Sequence, residues 1–190
     1  MKCLLLSIPL LTFVACSGPE SQTSTPQVAI TKETIVEDTV EVQKELSLDS
    51  LWQELVYEKG GCLTGGQRVV NGRFGNQACV LTSTRNATRA DWTPFFDHPK
   101  EELTDFLLNQ LPDTSATHIH TCPFFVATTG EVAVYCLSKI HLKNWYDLDP
   151  FMAYQDRKPK NSIDSEQAWL QEILADEATR ELLIAAWKKQ

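Results

Sequence analysis

The stretch that decides the fold of this 190-residue chain is Thr128-Thr129-Gly130-Glu131-Val132-Ala133-Val134-Tyr135-Cys136-Leu137-Ser138-Lys139-Ile140. Thr128 and Glu131 stand three residues apart, the spacing of a helical capping box. After them, apolar residues recur at the spacing of one helical face: Val132, Ala133, Cys136, Leu137 and Ile140. We therefore predict a buried helix that begins at Thr128. A strand within 128–142 is the alternative, because Val132, Val134 and Cys136 also alternate and β-branched residues favour strands.

A second helix is predicted between Pro99 and Pro112. Proline suits the first position of a helix, the preceding Asp97 or His98 can cap it, and Pro112 ends it. The predicted buried stripe consists of Leu103, Phe106, Leu107 and Leu111. The segment 99–140 thus holds two helical patterns joined by a loop, and it resembles one helix pair of a HEAT-type repeat.

Further helical patterns lie at both ends of the domain. Ser47 or Asp49 can cap a helix that Gly60-Gly61 ends, and its apolar face consists of Leu51, Trp52, Leu55 and Val56. Near the C-terminus, two apolar stripes are separated by a turn at Asp176-Glu177. They consist of Trp169, Leu170, Ile173 and Leu174, and then of Leu182, Leu183, Ala186 and Trp187.

The chain begins with the pattern of an export signal. Lys2 is followed by a mostly apolar run, Leu4–Val14, and by a small residue before Cys16. This run is too short for a membrane span, which needs about 20 apolar residues. The pattern resembles bacterial lipoprotein signal peptides, in which cleavage leaves the cysteine first, with lipid on its sulfur and its amine; Phe13 stands where that family prefers leucine. Ordinary secretory cleavage after Ser17 is the alternative.

The resemblance implies a membrane-anchored lipoprotein of the bacterial cell envelope that faces the periplasm or the exterior. Residues 1–15 would be the cleaved signal peptide, and Cys16 would be the lipidation site. Residues 16–45 are largely polar and are predicted to form a flexible tether. A strand within 33–45 is the alternative there, because Val and Ile are interleaved with acidic residues. Residues 46–190 have the usual length of one globular domain.

A β-hairpin is predicted near the N-terminal end of this domain. Asn71-Gly72 joins the strand-like runs Gln67–Val70 and Arg73–Leu81, and Asn-Gly is the strongest short hairpin signal because both turn residues need positive φ. We therefore predict a mainly α fold with a small β-hairpin, an α+β domain built from packed helix pairs. Because Cys62 and Cys79 flank the hairpin, a disulfide between them would pin its base.

Four cysteines follow Cys16 in the sequence: Cys62, Cys79, Cys122 and Cys136. In an exported chain an even number of cysteines favours disulfides, and four of them allow three connectivities. Proximity favours Cys62–Cys79 and Cys122–Cys136, each closing a loop of about 15 residues. A zinc site made of cysteines is less favoured, because there is no Cys-x-x-Cys pair.

One short segment has the pattern of a metal site, Thr117-His118-Ile119-His120-Thr121-Cys122. On an extended backbone, His118, His120 and Cys122 project from the same side and offer imidazole and thiolate ligands to zinc or copper. His98 or His141 would supply a fourth ligand. A Cys122–Cys136 disulfide would instead consume the thiolate, and alternating histidines are common on half-exposed strands. We therefore expect no resident cofactor, with zinc or copper as the alternative.

The net charge of −8 bears on possible partners. An acidic chain opposes binding to nucleic acid and to anionic headgroups, so we expect no nucleic-acid partner and contact with the membrane only through the lipid. The acidic charge either serves solubility outside the cytoplasm or attracts a basic protein partner. Most aromatic side chains near loops close the core of a small domain, and a minority form an interaction patch. Trp145 and Tyr146 are the candidate interface anchors among them.

Catalytic motifs are missing from the sequence. It contains no Gly-x-Ser-x-Gly, no His-Glu-x-x-His and no phosphate-binding loop, so we assign no catalytic residue. The sequence therefore predicts a lipid-anchored envelope protein that binds another protein, with an immunity-like or inhibitory role as one form of it. A metal-binding lipoprotein is the first alternative. A cell-wall enzyme is the second, because folding can bring distant carboxylates together.

Overall fold

The computed structural model describes residues 46–63, 69–70, 72–74, 83–122 and 125–190, without the side chains of Val69, Val70, Phe74 and Cys122. These ranges belong to one compact unit, Gln43–Gln190. The predicted signal peptide, Cys16, the tether and Cys79 lie outside the described residues. No helix within the described ranges has the length and apolar character needed to span a bilayer.

The fold is mainly helical with a small sheet, as predicted. The helices are α1 (Leu48–Trp52, continued by a π-helical segment Gln53–Lys59), α2 (Arg89–Phe96), α3 (Lys100–Gln110), α4 (Thr129–His141), α5 (Glu166–Ala175) and α6 (Glu177–Trp187), with 3-10 turns at Trp145–Asp147 and Asp149–Tyr154. The strands are β1 (Gly61–Cys62), β2 (Val69–Val70), β3 (Arg73–Phe74), β4 (Ala116–Cys122) and β5 (Phe125–Thr128).

Helix α4 lies at the centre of the domain. Thr128 caps it through the predicted capping box, in which the Thr128 side chain accepts from the Glu131 N–H and the Glu131 side chain accepts from the Thr128 N–H. The run from Thr129 to Ser138 is buried, because α3 and α5 pack against this helix and β4 and β5 also contact it. The helix prediction for this segment is confirmed, and burial on all sides explains why its sequence also resembles a strand.

Close backbone packing joins the start of α4 to the end of α3. A Cβ atom at Gly130 would lie 2.5 Å from the carbonyl oxygen of Leu111. The Gly130 N–H donates to the carbonyl of Asp113 at 2.9 Å, and the Thr129 N–H donates to the carbonyl of Ser115 at 3.0 Å. These bonds satisfy N–H groups that the first turn of a helix leaves without intrahelical partners.

The first helix has the predicted cap and end. Ser47 accepts a hydrogen bond from the Ser50 N–H, and Gly60 ends the helix with φ of 49°. Its second half is π-helical, and the Gly60 N–H bonds to the Leu55 carbonyl at 3.1 Å. This π-helical segment has no counterpart in the sequence prediction, because side-chain periodicity does not distinguish one extra residue per turn over so short a length.

The predicted hairpin is present at its turn. β2 and β3 pair antiparallel, with Val69 opposite Phe74 and Val70 opposite Arg73, and Gly72 has φ of 70°. A separate three-stranded sheet, in the order β1-β4-β5, was not predicted. In it β1 runs parallel to β4, and β5 is antiparallel to β4. The segment between α3 and α4 was predicted as a loop, with an extended backbone considered only for Thr117–Cys122, whereas it folds into this β4–β5 hairpin.

The predicted disulfides are not formed in this structure. Cys62 and Cys136 are both free thiols, the first exposed and the second buried. Cys136 lies on α4 and is fully enclosed by the core. Cys62 lies on β1 opposite His120, while its predicted partner Cys79 lies outside the described residues. The prediction that a disulfide pins the hairpin is therefore wrong for this structure.

Candidate functional site at the edge of the sheet

The histidines of β4 lie on the outer face of the sheet. Thr117 and Ile119 are buried, His118 is exposed and His120 is partly exposed. The Thr117 hydroxyl donates to the Ala127 carbonyl at 2.8 Å and accepts from the Ile119 N–H at 3.0 Å, which fixes the inner face. Because successive side chains of a strand point to opposite faces, His118 and His120 share the outer face, as expected.

A third candidate ligand lies next to these histidines. Cys62 on β1 is the register partner of His120 on β4, and the Leu63 N–H donates to the His120 carbonyl at 2.8 Å. Paired residues of neighbouring strands present their side chains on the same face. Cys62 is exposed, so an imidazole and a thiol are neighbours on the outer face. This pairing could not be predicted from sequence patterns, because Cys62 and His120 are far apart in the chain.

These groups do not form a complete metal site. In the described part of the chain, no cluster of three or more His, Cys, Asp and Glu side chains is arranged to hold a metal ion. The side chain of Cys122 lies outside the described residues. The proposed fourth ligands have other partners: His98 lies 3.9 Å from Glu102, and the Nε2 atom of His141 lies 3.0 Å from the Thr104 hydroxyl.

The strand β5 forms the open edge of the sheet. It pairs with β4 on one side, and no other strand of the described ranges pairs with it. Phe125 is 49% exposed and Val126 is 39% exposed, whereas Ala127 is buried. An edge strand with exposed apolar side chains is a template for pairing with another chain. This edge, formed by Phe125 and Val126 beside His118 and His120, is the candidate functional site.

Trp145 and Tyr146, the predicted interface anchors, lie in the core. They are only 5% and 4% exposed. The Trp145 ring packs edge-on against Tyr146, Phe151 and Tyr154 at centroid distances of 5.2, 6.1 and 5.1 Å. These rings fill the space beside α5 that the two 3-10 turns enclose, so their role in this structure is packing.

A buried polar network surrounds Glu131. Its carboxylate accepts hydrogen bonds from the Tyr135 hydroxyl, from Nε2 of Gln171 at 3.0 Å and from the Thr128 N–H at 3.3 Å. Burial raises the pKa of Glu131 and outweighs these bonds, which act in the opposite direction. The sequence identified Glu131 only as a cap. Its contact with α5 depends on tertiary packing.

Carboxylates line two surface cavities, which bears on the enzyme alternative. Asp49 and Glu102 line one of about 540 Å³ together with His98, and Glu101 and Asp105 line another of about 310 Å³. Three of these acids, Asp49, Glu101 and Glu102, lie in the first turns of α1 and α3, where negative charge stabilises a helix by its dipole. Helix stabilisation therefore accounts for the positions of these three residues.

Comparison of this chain with family models, with curated proteins and with solved structures finds no match. Function is therefore inferred from the chain's own residues.

Proposed function

We propose that this protein is a lipid-anchored envelope protein that binds another protein at the β5 edge. The observation that carries the proposal is the exposure of Phe125 and Val126 on a strand that lacks a partner on its outer side among the described residues. A partner segment in extended conformation adds to such an edge through main-chain hydrogen bonds, and its alternate side chains contact the apolar residues.

The charge of the chain supports a basic partner. The net charge is −8, and removal of Lys2 with the signal peptide would make it one unit more negative. Complementary charge accelerates association and disfavours wrong partners. The expected recognition segment is therefore extended, with apolar side chains on one face and lysine or arginine on the other. An immunity-like or inhibitory role against a basic protein is one form of this function.

The anchor is proposed from the sequence pattern before Cys16. Several acyl chains hold a protein durably at a bilayer, because each buried methylene contributes roughly 0.8 kcal/mol. We expect the wild-type chain, expressed in a bacterium, to fractionate with membranes and to incorporate labelled palmitate. Cys16→Ser should abolish both. Palmitate labelling that persists in Cys16→Ser would contradict the proposed anchor while leaving the binding edge untested.

The binding edge is tested by capture from envelope extract with two matched variants. Val126→Lys places a charge on the edge, and Leu182→Lys places the same charge on α6 at a residue that is 53% exposed. We expect a specific partner to be recovered by wild type and by Leu182→Lys, with its yield lost in Val126→Lys. Equal recovery by the two variants would place the interface elsewhere. No specific partner for the wild type would oppose the proposal as a whole.

Metal binding is the second candidate, and the neighbouring positions of Cys62 and His120 favour it. These two residues offer one imidazole and one thiolate, ligand types that suit zinc or copper(I). We expect native mass spectrometry with one equivalent of zinc to give a one-to-one adduct that is lost in His120→Ala. If zinc is refused at micromolar concentration, or if the adduct survives in His120→Ala, this candidate is excluded.

A further inference from the structure

A cavity of about 260 Å³ opens between the end of α2, the start of α3 and the end of α4, away from the sheet. Its lining combines three apolar side chains with three nitrogen-bearing ones: Phe96, Leu103 and Ile140, and His98, Lys100 and Lys139. No carboxylate of the described residues lines it. In a chain with a net charge of −8, a cavity of this composition suits a small ligand that is partly apolar and negatively charged.

The amine of Lys139 lies against the apolar wall of this cavity. Its nitrogen is 3.2 Å from the centroid of the Phe96 ring, and the side chain is only partly exposed. Burial lowers the pKa of Lys139 to about 8, and the nearby Arg89 adds to this effect. Asp97 and the thiol of Cys136 act in the opposite direction.

A structural role accounts for only part of this arrangement. A lysine in the last turn of a helix stabilises the negative end of the helix dipole, and its aliphatic stem covers apolar surface. A fully solvated ammonium group would serve both purposes. The position of the nitrogen over the Phe96 ring face stabilises the ammonium form, whereas burial reduces its hydration and favours the neutral amine. With a pKa of about 8, a substantial fraction of Lys139 is the neutral amine, the form of lysine that acts as a nucleophile.

We propose that Lys139 is a covalent modification site that takes a small aldehyde with an anionic group as an imine. The amine lone pair attacks the carbonyl carbon, and one proton passes from the nitrogen to the oxygen to give a carbinolamine. The hydroxyl group then leaves as water while the nitrogen loses its remaining proton, so the products are an imine and one water molecule, without any redox change. Phe96, Leu103 and Ile140 line the apolar side, and His98 and Lys100 face the anionic group. This proposal is independent of the binding function at the β5 edge.

Pyridoxal 5′-phosphate is the test reagent, because it combines an aldehyde with a phosphate group. The full-length protein is treated with one equivalent, the imine is reduced with borohydride, which adds hydride to the imine carbon, and the labelled peptides are mapped. At pH 7.5 an amine with a pKa near 8 has on the order of 100-fold more neutral form than an ordinary lysine. We expect Lys139 to be labelled at least about tenfold more than any exposed lysine. Label spread evenly over the exposed lysines would overturn the proposal.

Two matched variants complete the test. Lys139→Arg retains the positive charge but removes the nucleophile, and Lys158→Arg makes the same change at an exposed lysine. After addition of one equivalent of pyridoxal 5′-phosphate, we expect the absorbance of the imine to be lost in Lys139→Arg and retained in Lys158→Arg. In the wild type, the rate of labelling of Lys139 should rise with pH to a midpoint near 8, with Arg89, Asp97, His98 and Lys100 as the charged groups around it. Unchanged labelling in Lys139→Arg would overturn the assignment. If that variant does not fold, peptide mapping of the wild type decides.

Discussion

Nε2 of Gln171 donates a hydrogen bond to the carboxylate of Glu131 at 3.0 Å, which ties the first turn of α4 to α5. Glu131, whose side chain completes the capping box of α4, therefore also positions α5. A carboxylate suits this place because the groups around it, including the Thr128 N–H and the Tyr135 hydroxyl, are donors.

Glu131→Ala should destabilise the domain strongly. The substitution removes the helix cap and leaves the buried Tyr135 hydroxyl and the half-buried amide of Gln171 without their acceptor, so we expect a loss of about 3 kcal/mol in the free energy of unfolding. Urea denaturation followed by circular dichroism measures it. Glu172→Ala changes an exposed glutamate on α5 and should cost less than about 0.5 kcal/mol. Similar losses in the two variants would contradict the role of the network.

The contribution of Glu131 to stability should depend on pH. Burial raises the pKa of Glu131 above its ordinary value of 4.5. Its contribution is therefore fully present below the unfolded-state pKa and is lost as the pH rises through the folded-state pKa. Glu131→Gln does not titrate. We expect the free energy of unfolding of the wild type, minus that of Glu131→Gln, to decrease as the pH rises above 4.5. A difference that increases over this range would contradict the raised pKa.

Gly130→Ala should destabilise the protein although alanine is the better helix former. The added Cβ would lie 2.5 Å from the Leu111 carbonyl oxygen, a backbone atom that cannot move without shifting α3. We expect a loss of about 2 kcal/mol in thermal or urea unfolding, by overpacking. Gly72→Ala meets nothing within 4 Å but has φ of 70°, so about 1 kcal/mol of backbone strain is expected there. A gain in stability for Gly130→Ala would show that the two helices are not in close contact.

His141 should be neutral, with its proton on Nε2, down to acidic pH. The Thr104 hydroxyl donates to the Lys100 carbonyl at 2.7 Å, so it must accept from Nε2 of His141 at 3.0 Å. Burial, followed by the charges of Lys100 and Lys143, lowers the pKa of His141 to about 4. Imidazole nitrogen shifts in an NMR titration should show this tautomer and a midpoint near 4. A midpoint above 6 would contradict the burial of the ring.

The lowered pKa of His141 also determines how the stability of the protein changes with pH. Because the unfolded histidine binds a proton near pH 6.5 and the folded one near 4, the contribution of His141 is present above 6.5 and is lost as the pH falls towards 4. We expect His141→Gln to flatten this part of the stability profile. A wild-type profile that is unchanged by the substitution would contradict the assignment.

The two free thiols should differ in reactivity. Cys62 is exposed, whereas Cys136 is enclosed by the core and burial raises the pKa of its thiol. Alkylation of the native protein followed by peptide mapping should modify Cys62 at once and Cys136 only after unfolding. Cys62→Ser, which removes the fast-reacting group, is the control. If Cys62 resists alkylation until a reductant is added, it is held in a disulfide in solution, which would contradict the free thiol of this structure.

Local patterns in the sequence were sufficient to predict several elements of the fold. The capping box of Thr128 and Glu131, the β2–β3 pairing around Gly72 and the interruption at Asp176 each depend on interactions between residues no more than about five apart. Asp176 indeed ends α5 and caps α6, accepting a hydrogen bond from the Thr179 N–H at 2.9 Å. The placement of His118 and His120 on one face also follows locally, from the period of two along a strand.

Other features were decided only by tertiary structure. Trp145 and Tyr146 are buried because the 3-10 turns and α5 enclose them, and the sequence beside them does not specify that packing. Pairing of Cys62 with His120, and of β4 with β5, depends on register between separate strands. Helix caps and side-chain periodicity depend on residues that are close together in the sequence. Burial and strand pairing depend on the free energy of packing summed over the whole core. The sequence by itself therefore determined the positions of α1, α3, α4, α5 and α6, but not α2 or the π-helical segment. The tertiary structure decided which residues are exposed.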